Sequence, residues 1–318
     1  MSLRLVNFVP KTWPDAAPRV GALIENAIVD IAEACEAADS DCGCAGSVVD
    51  LLACPDCLQA AREALAEVGP NVAALPMAEA ILLAPVIQPG KLLCLAGNYE
   101  EHIREGKNKE LSGEVHASDK ATPRVFMKPS TNTVCGSEAP VIVGKTSTFV
   151  DYEGELAIII GKRGKYIKAA DAMDYVGGVT CLNDISERRL HIWDRPETRQ
   201  WDRFFDWLNG KWFDNSAPMG PCAVPLADIG DIGSLRLLTR LNGRVMQDAS
   251  TGQMIFGVPE IVEYISHMVT LEPGDVIATG TPAGVGHSQD IAMHPGDVVE
   301  VEIEGIGILR NPVIAEEA

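Results

Sequence analysis

The strongest chemical signal in the sequence is a group of acidic residues that leads into an apolar stretch. Asp151, Glu153 and Glu155 stand at alternate positions just before the apolar residues 156–160. Alternate side chains of a β-strand share one face, so the three carboxylates are expected to point the same way. Carboxylates crowded beside an apolar run repel one another unless a cation lies between them. The spacing predicts a site for a hard divalent ion: Mg²⁺, Mn²⁺ or Ca²⁺.

Asp184 is expected to be a further ligand, because it ends the apolar segment 179–183 where a strand gives way to a loop. Three carboxylates would leave coordination positions open for water and substrate, as a catalytic ion requires. The alternative is a solvated strand face with exposed acids. An acid at the end of a buried strand favours the metal site, with Asp151 left open as a possible ligand.

His102 and Glu105 stand three residues apart in the segment 98–105, which has helical character. On one helical face the carboxylate can orient the imidazole and stabilise its charged form. A histidine held in this way can act as a general base on water. A simple surface pair is the alternative.

Residues 185–213 combine aromatic and cationic side chains, including four of the five tryptophans. This pattern indicates an aromatic wall or lid beside the metal, with Lys211 reaching a substrate oxygen. A dimer contact rich in Trp and Arg is the alternative. Further along, the glycines of segment 279–286 lack the Gly-Lys-Ser/Thr of a phosphate loop. We expect instead a tight turn that presents the Thr281 hydroxyl and backbone N–H groups to a carboxylate.

The composition excludes several classes of function. The net charge is −19, which repels phosphate backbones and argues against nucleic acid as a partner. No segment approaches the roughly 18–20 apolar residues of a membrane span, and the N-terminus lacks an apolar signal core. The sequence predicts a cytoplasmic protein that contacts neither nucleic acid nor membrane.

The nine cysteines suggest two structures. Most lie in apolar runs, as small core residues of a protein in a reducing compartment do. Two close pairs, Cys42 with Cys44 and Cys54 with Cys57, could grip a zinc ion. The alternative is free thiols on a helical segment of small residues.

The chain divides near residue 85. Residues 1–85 predict a small N-terminal α/β domain, with short strands followed by a helical pattern over 46–67. Residues 86–318 contain many short apolar runs bounded by Gly, Pro, Asp or Asn. This pattern predicts an α+β, strand-dominated fold with a folded-over sheet or barrel-like roll.

Taken together, the segments between about 91 and 308 resemble the fumarylacetoacetate hydrolase family, in particular bacterial two-part members of the acylpyruvase and 2-hydroxyhepta-2,4-diene-1,7-dioate isomerase type. The resemblance rests on ordered motifs, which include Asn98-Tyr99, Met127-Lys-Pro-Ser130, Asp151-Tyr-Glu-Gly-Glu155, Asn183-Asp184, Gly210-Lys-Trp-Phe-Asp214 and Thr279-Gly-Thr-Pro282.

The resemblance implies a mixed β-roll catalytic domain, usually dimeric, with Mg²⁺ or a similar ion on Glu153, Glu155 and Asp184. It also implies that His102 and Glu105 activate water and that Lys211 stabilises negative charge. The substrate contacts implied are Tyr99, Lys128, Arg188, His191 and Thr281. His191 departs from the family pattern, since many relatives have Gln there, and the loop from Trp193 to Asn209 is longer than in compact members.

On this basis we expect a metal-dependent hydrolase that cleaves a C–C bond in a 2,4-dioxo, acylpyruvate-like acid through a metal-bound enolate. The setting would be catabolism of aromatic or sugar acids. The alternatives are a decarboxylase or a keto–enol isomerase of a related 2-oxo diacid, and a catalytically inactive metal-dependent binding protein.

Overall fold

The computed structural model describes residues 2–40, 42–43, 46–68, 73–105, 122–146 and 148–317. Strands dominate this part of the chain, which confirms the expected mixed, strand-dominated class. The strands are β1 Leu5–Pro10, β2 Arg19–Ile24, β3 Ala27–Asp30, β4 Leu75–Pro76, β5 Ala80–Leu83, β6 Leu92–Ala96, β7 Arg124–Lys128, β8 Val134–Cys135, β9 Val141–Val143, β10 Val150–Asp151, β11 Gly154–Ile160, β12 Val176–Asn183, β13 Ser186–Glu187, β14 Ala217–Pro225, β15 Arg236–Leu241, β16 Arg244–Ser250, β17 Val276–Ala278, β18 Val298–Ile303 and β19 Gly307–Ala315. The α-helices are α1 Ile31–Ala37, α2 Val48–Ala53, α3 Pro55–Val68, α4 Glu100–Glu105, α5 Gln200–Asn209, α6 Leu226–Ile229, α7 Val258–Met268 and α8 Gly286–Gln289.

The main sheet has twelve strands, and β11 lies inside it between β12 and β17. Every residue of β11 is buried, because both faces of the strand are covered. Leu156 and Ile158 pack in the same apolar core as Val301 of β18, while Ala157 and Ile159 pack with residues of α2 and α3. This double burial explains why the sequence of β11 is a continuous apolar run after Glu155.

A second sheet of five strands, in the order β16-β15-β18-β19-β9, packs on the main sheet. Its strand β18 alternates buried Val299, Val301 and Ile303 with less buried residues, as a sheet with one covered face requires. A short pair, β10 with β13, lies apart from both sheets. Strand β10 ends two residues before Glu153, and β13 begins two residues after Asp184.

The N-terminal strands join the main sheet. Strand β1 pairs antiparallel with β2, with β5 and with β14, where Leu5 lies opposite Ala223. The predicted strands near residues 3–8, 19–24 and 27–31 are thus found, as are helices within the predicted segment 46–67. The division at residue 85 stays a prediction, and the sheet is continuous across it.

The cysteines differ from expectation. Cys42 forms a disulfide with Cys35, so its sulfur is neither a thiol nor a zinc ligand, contrary to the sequence prediction. The apolar cluster around α1 brings the two residues together. The Sγ atoms of Cys54 and Cys57 lie 2.6 Å apart at the start of α3, and Cys44 lies outside the described residues. Among the helices of the described ranges, none is long and apolar enough to span a bilayer.

Candidate active site

Three predicted metal ligands meet where β11 begins and β12 ends. The antiparallel register sets Gly154 opposite Asn183, so the flanking residues Glu153, Glu155 and Asp184 converge. The Asp184 N–H donates to the Glu153 carbonyl at 2.9 Å, and the Glu153 N–H donates to Asn183 Oδ1 at the same distance. One carboxylate oxygen from each of the three acids lies within 4.8 Å of the others, and all three are buried.

The donor set fits a hard divalent ion. Glu155 Oε2 accepts the Gly280 N–H at 2.7 Å, but Oε1 is buried without a hydrogen-bond partner. Burial, followed by the charges of Asp184 and Glu153, raises the pKa of Glu155 well above its usual value. A cation would satisfy the orphaned oxygen and offset this repulsion. Oxygen-only ligands suit Mg²⁺, Mn²⁺ or Ca²⁺ better than softer metals.

Two buried lysines and the partly buried Arg188 surround the triad. Lys211 Nζ lies 2.7 Å from Glu153 Oε2 and 2.6 Å from Asp184 Oδ2. Lys128 Nζ donates to Asp184 Oδ1 at 2.7 Å, and Arg188 donates to Glu153. Burial opposes ionisation of Glu153, but Lys211 and Arg188 hold the pKa of Glu153 well below its usual value. The site therefore keeps negative and positive charges side by side.

Asp151 does not belong to the triad. The strand is interrupted between β10 and β11, so Asp151 does not stay on the shared face with Glu153 and Glu155. Its carboxylate accepts the Gly286 N–H at 2.7 Å and Arg188 Nε at 2.9 Å. Asp151 thus positions Arg188. Asp151, Glu153 and Glu155 are all buried, which excludes the alternative of a solvated strand face with exposed acids.

Helix α4 brings His102 and Glu105 together as a pair. His102 Nδ1 lies 2.8 Å from Glu105 Oε1, with side chains 20% and 18% exposed, which is less than a surface pair would be. Glu105 Oε2 accepts the Gly284 N–H at 2.8 Å and Ser288 Oγ–H at 2.9 Å. Burial opposes ionisation of Glu105, but its hydrogen bonds with His102 and Gly284 lower the pKa of Glu105. The other ring nitrogen, Nε2, remains for chemistry in the cavity that His102 lines.

The loop 279–284 contacts both the carboxylate triad and the His102–Glu105 pair. Its Gly280 and Gly284 N–H groups bind Glu155 and Glu105, one acid of the triad and one of the pair. Both glycines have positive φ, 96° and 106°, which other residues adopt at a cost. Thr281 Oγ1 donates to the Gly154 carbonyl at 2.9 Å. The expected turn exists, but its N–H groups hold protein carboxylates.

One cavity of about 460 Å³ is lined by Glu153 of the triad, His102 of the pair and Thr281 of the loop. Trp207 of α5 forms part of its wall and meets Phe126 of β7 edge to face, with ring centroids 5.2 Å apart. The other lining residues are Leu95, Ala96, Gly97, His102, Arg124, Glu153, Arg188, Arg203, Phe204, Lys211 and Thr281. The predicted aromatic wall is therefore present at Trp207, whereas Trp193 and Trp201 are exposed.

The substrate residues implied by the resemblance take different places. Arg188 and Thr281 line the cavity, and Lys128 is buried behind it against Asp184. Tyr99 lines a neighbouring cavity of about 270 Å³, with its hydroxyl buried and unpartnered. Burial, then the Glu155 charge, raises the pKa of Tyr99. His191 lies outside both cavities, with its side chain 66% exposed beside Asp194, so this arrangement gives no support to a substrate contact.

Sequence reasoning missed other lining residues, above all Arg124, Phe126 and Arg203. Phe126 and Arg124 precede the Lys128 motif on the same strand, and alternation along that strand could have indicated them. Arg203 lies inside the aromatic and cationic segment. The sequence alone did not show that this residue stands on a helix, which is what places it at the cavity.

The fold and the site define a class of protein: a strand-dominated α+β fold in which one acid of a carboxylate triad suited to a hard ion and the histidine of a His–Glu pair line one cavity. The chain belongs to the fumarylacetoacetate hydrolase family, because the family model for the Fumarylacetoacetate (FAA) hydrolase C-terminal region matches residues 91–314. The resemblance drawn from the motifs is confirmed.

Relatives within this family carry several activities. The chain is 39% identical over 259 residues, 81% of this chain and 76% of the relative, to oxaloacetate tautomerase FAHD2A, mitochondrial, of Bos taurus. It is similar to a solved 2-hydroxyhepta-2,4-diene-1,7-dioate isomerase of Mycobacterium marinum, with TM-score 0.69, 31% identity and full coverage of both chains. It is also similar to maleylpyruvate hydrolase of Sphingobium sp. SYK-6 in complex with manganese (II) ion and pyruvate, with TM-score 0.73, 25% identity and coverage of 99% and 100%.

Proposed function

We propose that this protein catalyses proton transfer at the carbon next to the carbonyl group of a 2-oxo acid, with keto–enol isomerisation as the net reaction. The observation that carries the proposal is that His102, paired with Glu105, lines the same cavity as Lys211 and Arg188. A base and fixed cations are what enolisation requires. The similarity to an oxaloacetate tautomerase supports this choice over other reactions of the family.

Glu153, Glu155 and Asp184 would hold a divalent ion, for which we propose Mg²⁺, with Mn²⁺ or Ca²⁺ as alternatives. The manganese ion in the related maleylpyruvate hydrolase supports such a site. When bound, the ion would act as a Lewis acid toward the 2-oxo and carboxylate oxygens.

The residues of the chain then supply the proton chemistry. His102 Nε2 takes a proton from the carbon next to the carbonyl. The electron pair of that C–H bond forms a C=C double bond to the carbonyl carbon, and the π pair of the C=O bond moves onto the oxygen. Glu105 stabilises the charged imidazole through Nδ1. Lys211 and Arg188 place positive charge beside the oxygen that becomes negative. Return of the proton to that oxygen completes the enol.

Hydrolytic C–C cleavage of an acylpyruvate-like acid is the second candidate. The similarity to maleylpyruvate hydrolase favours it. In this case the same His102 would deprotonate a water molecule that attacks the distal carbonyl, and the departing carbon would leave as an enolate. Decarboxylation would share that enolate but needs no water.

Product analysis by ¹H NMR in D₂O tests these alternatives. The protein is incubated with oxaloacetate or acetylpyruvate and with Mg²⁺, Mn²⁺ or EDTA. We expect ion-dependent deuterium incorporation at C3 of oxaloacetate faster than pyruvate formation, and its loss in His102→Ala. Acetate and pyruvate from acetylpyruvate would instead establish hydrolysis, and rapid pyruvate from oxaloacetate would establish decarboxylation. Inactivity on every acid would favour the binding protein.

Assembly as a homodimer and a cytoplasmic location stay predictions from the sequence. We propose the dimer because family resemblance implies it, and the exposed Trp201 and Phe205 of α5 offer apolar surface for such a contact. Light scattering during size-exclusion chromatography would measure the assembly directly.

A further inference from the structure

We propose that Gln247 of β16 is a positioning residue for the carboxylate triad. Its side-chain amide fixes the backbone of Gly154, the residue between Glu153 and Glu155, and so determines how tightly the triad holds a divalent ion. The inference rests on the ion that the proposed function assigns to the triad. It adds a residue of the second sheet whose hydrogen bonds go to Gly154, Thr281 and Pro282 instead of to the ligand carboxylates.

Gly154 begins β11 at a point where only one side of the strand has a neighbouring strand. Strand β12 lies along that side, with Asn183 opposite Gly154. On the other side, the pairing with β17 covers residues 157–159 and stops short of Gly154. Gly154 is buried, and a buried backbone N–H or C=O without a partner is costly. Its polar groups on this side must therefore be bound by side chains.

These partners form a closed ring of three hydrogen bonds. The Gly154 N–H donates to Gln247 Oε1 at 3.0 Å. Gln247 Nε2 donates to Thr281 Oγ1 at 2.8 Å, and Thr281 Oγ1 donates to the Gly154 carbonyl at 2.9 Å. The ring binds both backbone polar groups of Gly154. It therefore fixes the two peptide units that connect Gly154 to Glu153 and to Glu155.

An amide side chain at position 247 satisfies every partner. Gln247 Nε2 also donates to the Pro282 carbonyl at 2.8 Å, so the amide uses both of its N–H groups and its oxygen. Because the Gly154 N–H can only donate and the Pro282 carbonyl can only accept, the orientation of the amide is fixed. A carboxylate would face the Pro282 carbonyl without a donor, and a thioether would offer no strong donor or acceptor.

Gln247 is also connected to Glu155 through the loop 279–284. This loop supplies the Gly280 N–H that binds Glu155 Oε2 at 2.7 Å. Gln247 holds the next two residues of the loop, Thr281 and Pro282. The amide therefore positions Glu155 both through the backbone before it and through the loop that binds its carboxylate. Replacing a residue that orients metal ligands typically lowers metal affinity by about 10- to 100-fold.

Close packing limits the movement of Gln247. The side chain is buried. A Cβ added at Gly154 would lie 2.2 Å from Thr239 Oγ1 and 3.3 Å from Gln247 Oε1, so this backbone lies directly against the second sheet. A Cβ added at Gly284, whose N–H binds Glu105, would lie 3.2 Å from Gln247 Cγ. A change at Gln247 would therefore be transmitted to the backbone that carries the triad.

The alternative is that Gln247 only joins the two sheets. Its replacement would then lower stability, as the loss of a buried hydrogen-bonded amide does, and leave the affinity for the ion unchanged. Asn7 offers a matched comparison. Its buried amide donates to the carbonyls of Ala84 and Pro85, and neither of these residues belongs to the triad or to the loop 279–284.

The test compares Gln247→Met with Asn7→Leu, since each replaces a buried amide by an apolar side chain of similar size. Titration calorimetry with Mn²⁺ gives the affinity, and urea unfolding gives the stability. We expect Gln247→Met to weaken Mn²⁺ binding by about 10- to 100-fold, whereas Asn7→Leu should lose stability alone. Thr281→Val opens the same ring at its hydroxyl group. It should also weaken Mn²⁺ binding, and it tests the ring if Gln247→Met does not fold.

The closed ring further predicts that the two losses are not independent. The double variant should bind Mn²⁺ more tightly than the product of the two single losses would give. Unchanged affinity in Gln247→Met and Thr281→Val, or an equal loss in Asn7→Leu, would overturn the positioning role while leaving the ion site intact. A wild type that binds no Mn²⁺ would instead remove the ion from the proposed function, and the role of Gln247 with it.

Discussion

Nδ1 of His102 lies 2.8 Å from Oε1 of Glu105, and the second oxygen of that carboxylate is fixed by the Gly284 N–H at the same distance. The carboxylate is therefore oriented from two sides before any substrate arrives. An imidazole that donates through Nδ1 keeps Nε2 as the proton acceptor. The contact between His102 and Glu105 therefore makes Nε2 the ring nitrogen that accepts a proton in the cavity.

Replacement of Glu105 by Gln should lower kcat by roughly 10²–10⁴-fold, because the amide can donate to Nδ1 and so place the proton on Nε2. The measurement is the C3 exchange rate at saturating substrate. Glu101→Gln on the same helix is exposed and serves as the control. Equal rates in Glu105→Gln and the wild type would show that the pair does not direct proton transfer.

Gly284→Ala should reduce both stability and turnover. An added Cβ would lie 2.1 Å from the Met246 carbonyl oxygen, so the loop must shift and the N–H that holds Glu105 must move with it. Gly296→Ala is the matched control, since Gly296 has φ of 100° but nothing within 4 Å of the added carbon. Gly296→Ala should cost only the backbone strain of about 1–2 kcal/mol. Similar kcat losses in both variants would argue against a role for the Gly284 contact.

The lowered pKa of Glu105 predicts a pH-dependent contribution to stability. A carboxyl group whose folded pKa lies below its unfolded value of about 4.3 stabilises the fold above that value. The stabilisation is lost as the pH falls through the folded pKa. The difference in melting temperature between wild type and Glu105→Gln should therefore be constant above about pH 5 and narrow below about pH 4. Calorimetry from pH 3 to 8 measures it, and a gap that widens in acid would contradict this sign.

Glu155→Gln should weaken Mn²⁺ binding by at least about tenfold, because it removes one of three anionic ligands. Titration calorimetry with Mn²⁺ gives the affinity, and added Mn²⁺ should raise the melting temperature of the wild type more than that of Glu155→Gln. Glu187→Gln is the control, since Glu187 is buried but accepts backbone N–H groups of Phe149 and Arg189. Unchanged affinity in Glu155→Gln would exclude the carboxylate as a ligand.

Arg188→Met should lower the free energy of unfolding by about 3–5 kcal/mol, as expected when one partner of a buried ion pair is removed. Asp151 would lose its charged partner, and Glu153 would keep only Lys211. The neighbouring Arg189 pairs with Asp290 at the surface, so Arg189→Met should cost about 0–1 kcal/mol. Urea unfolding of both variants checks the contrast. Equal losses would mean that burial does not decide the strength of these pairs.

Much of the site could be predicted because it lies at strand ends. The apolar runs are flanked by Glu153, Glu155 and Asp184. A charged residue beside a buried strand needs a partner of opposite charge. Asp151 could not be separated from them, because the break between β10 and β11 has no signal in residue type. Helical spacing identified His102 and Glu105, but not the Gly284 N–H that completes their geometry.

Contacts that form only in the folded chain could not be predicted from the sequence. The pairing of Leu5 with Ala223 and the disulfide of Cys35 with Cys42 depend on the folded arrangement and not on local pattern. The position of His191 was inferred from the family pattern, whereas the structure leaves its side chain at the surface beside Asp194. That Arg203 lines the cavity could be recognised only from the position of α5 in the structure.

Through the pairing of β1 with β14, the first eighty-five residues also cover part of the edge of β14. Strand β14 lies between β1 and β12, and β1 meets it where Leu5 lies opposite Ala223. Removal of the N-terminal residues would leave part of β14 as a bare edge, and unpaired edges recruit strands from other molecules. A shortened protein that begins near residue 86 should therefore aggregate before its chemistry can be measured.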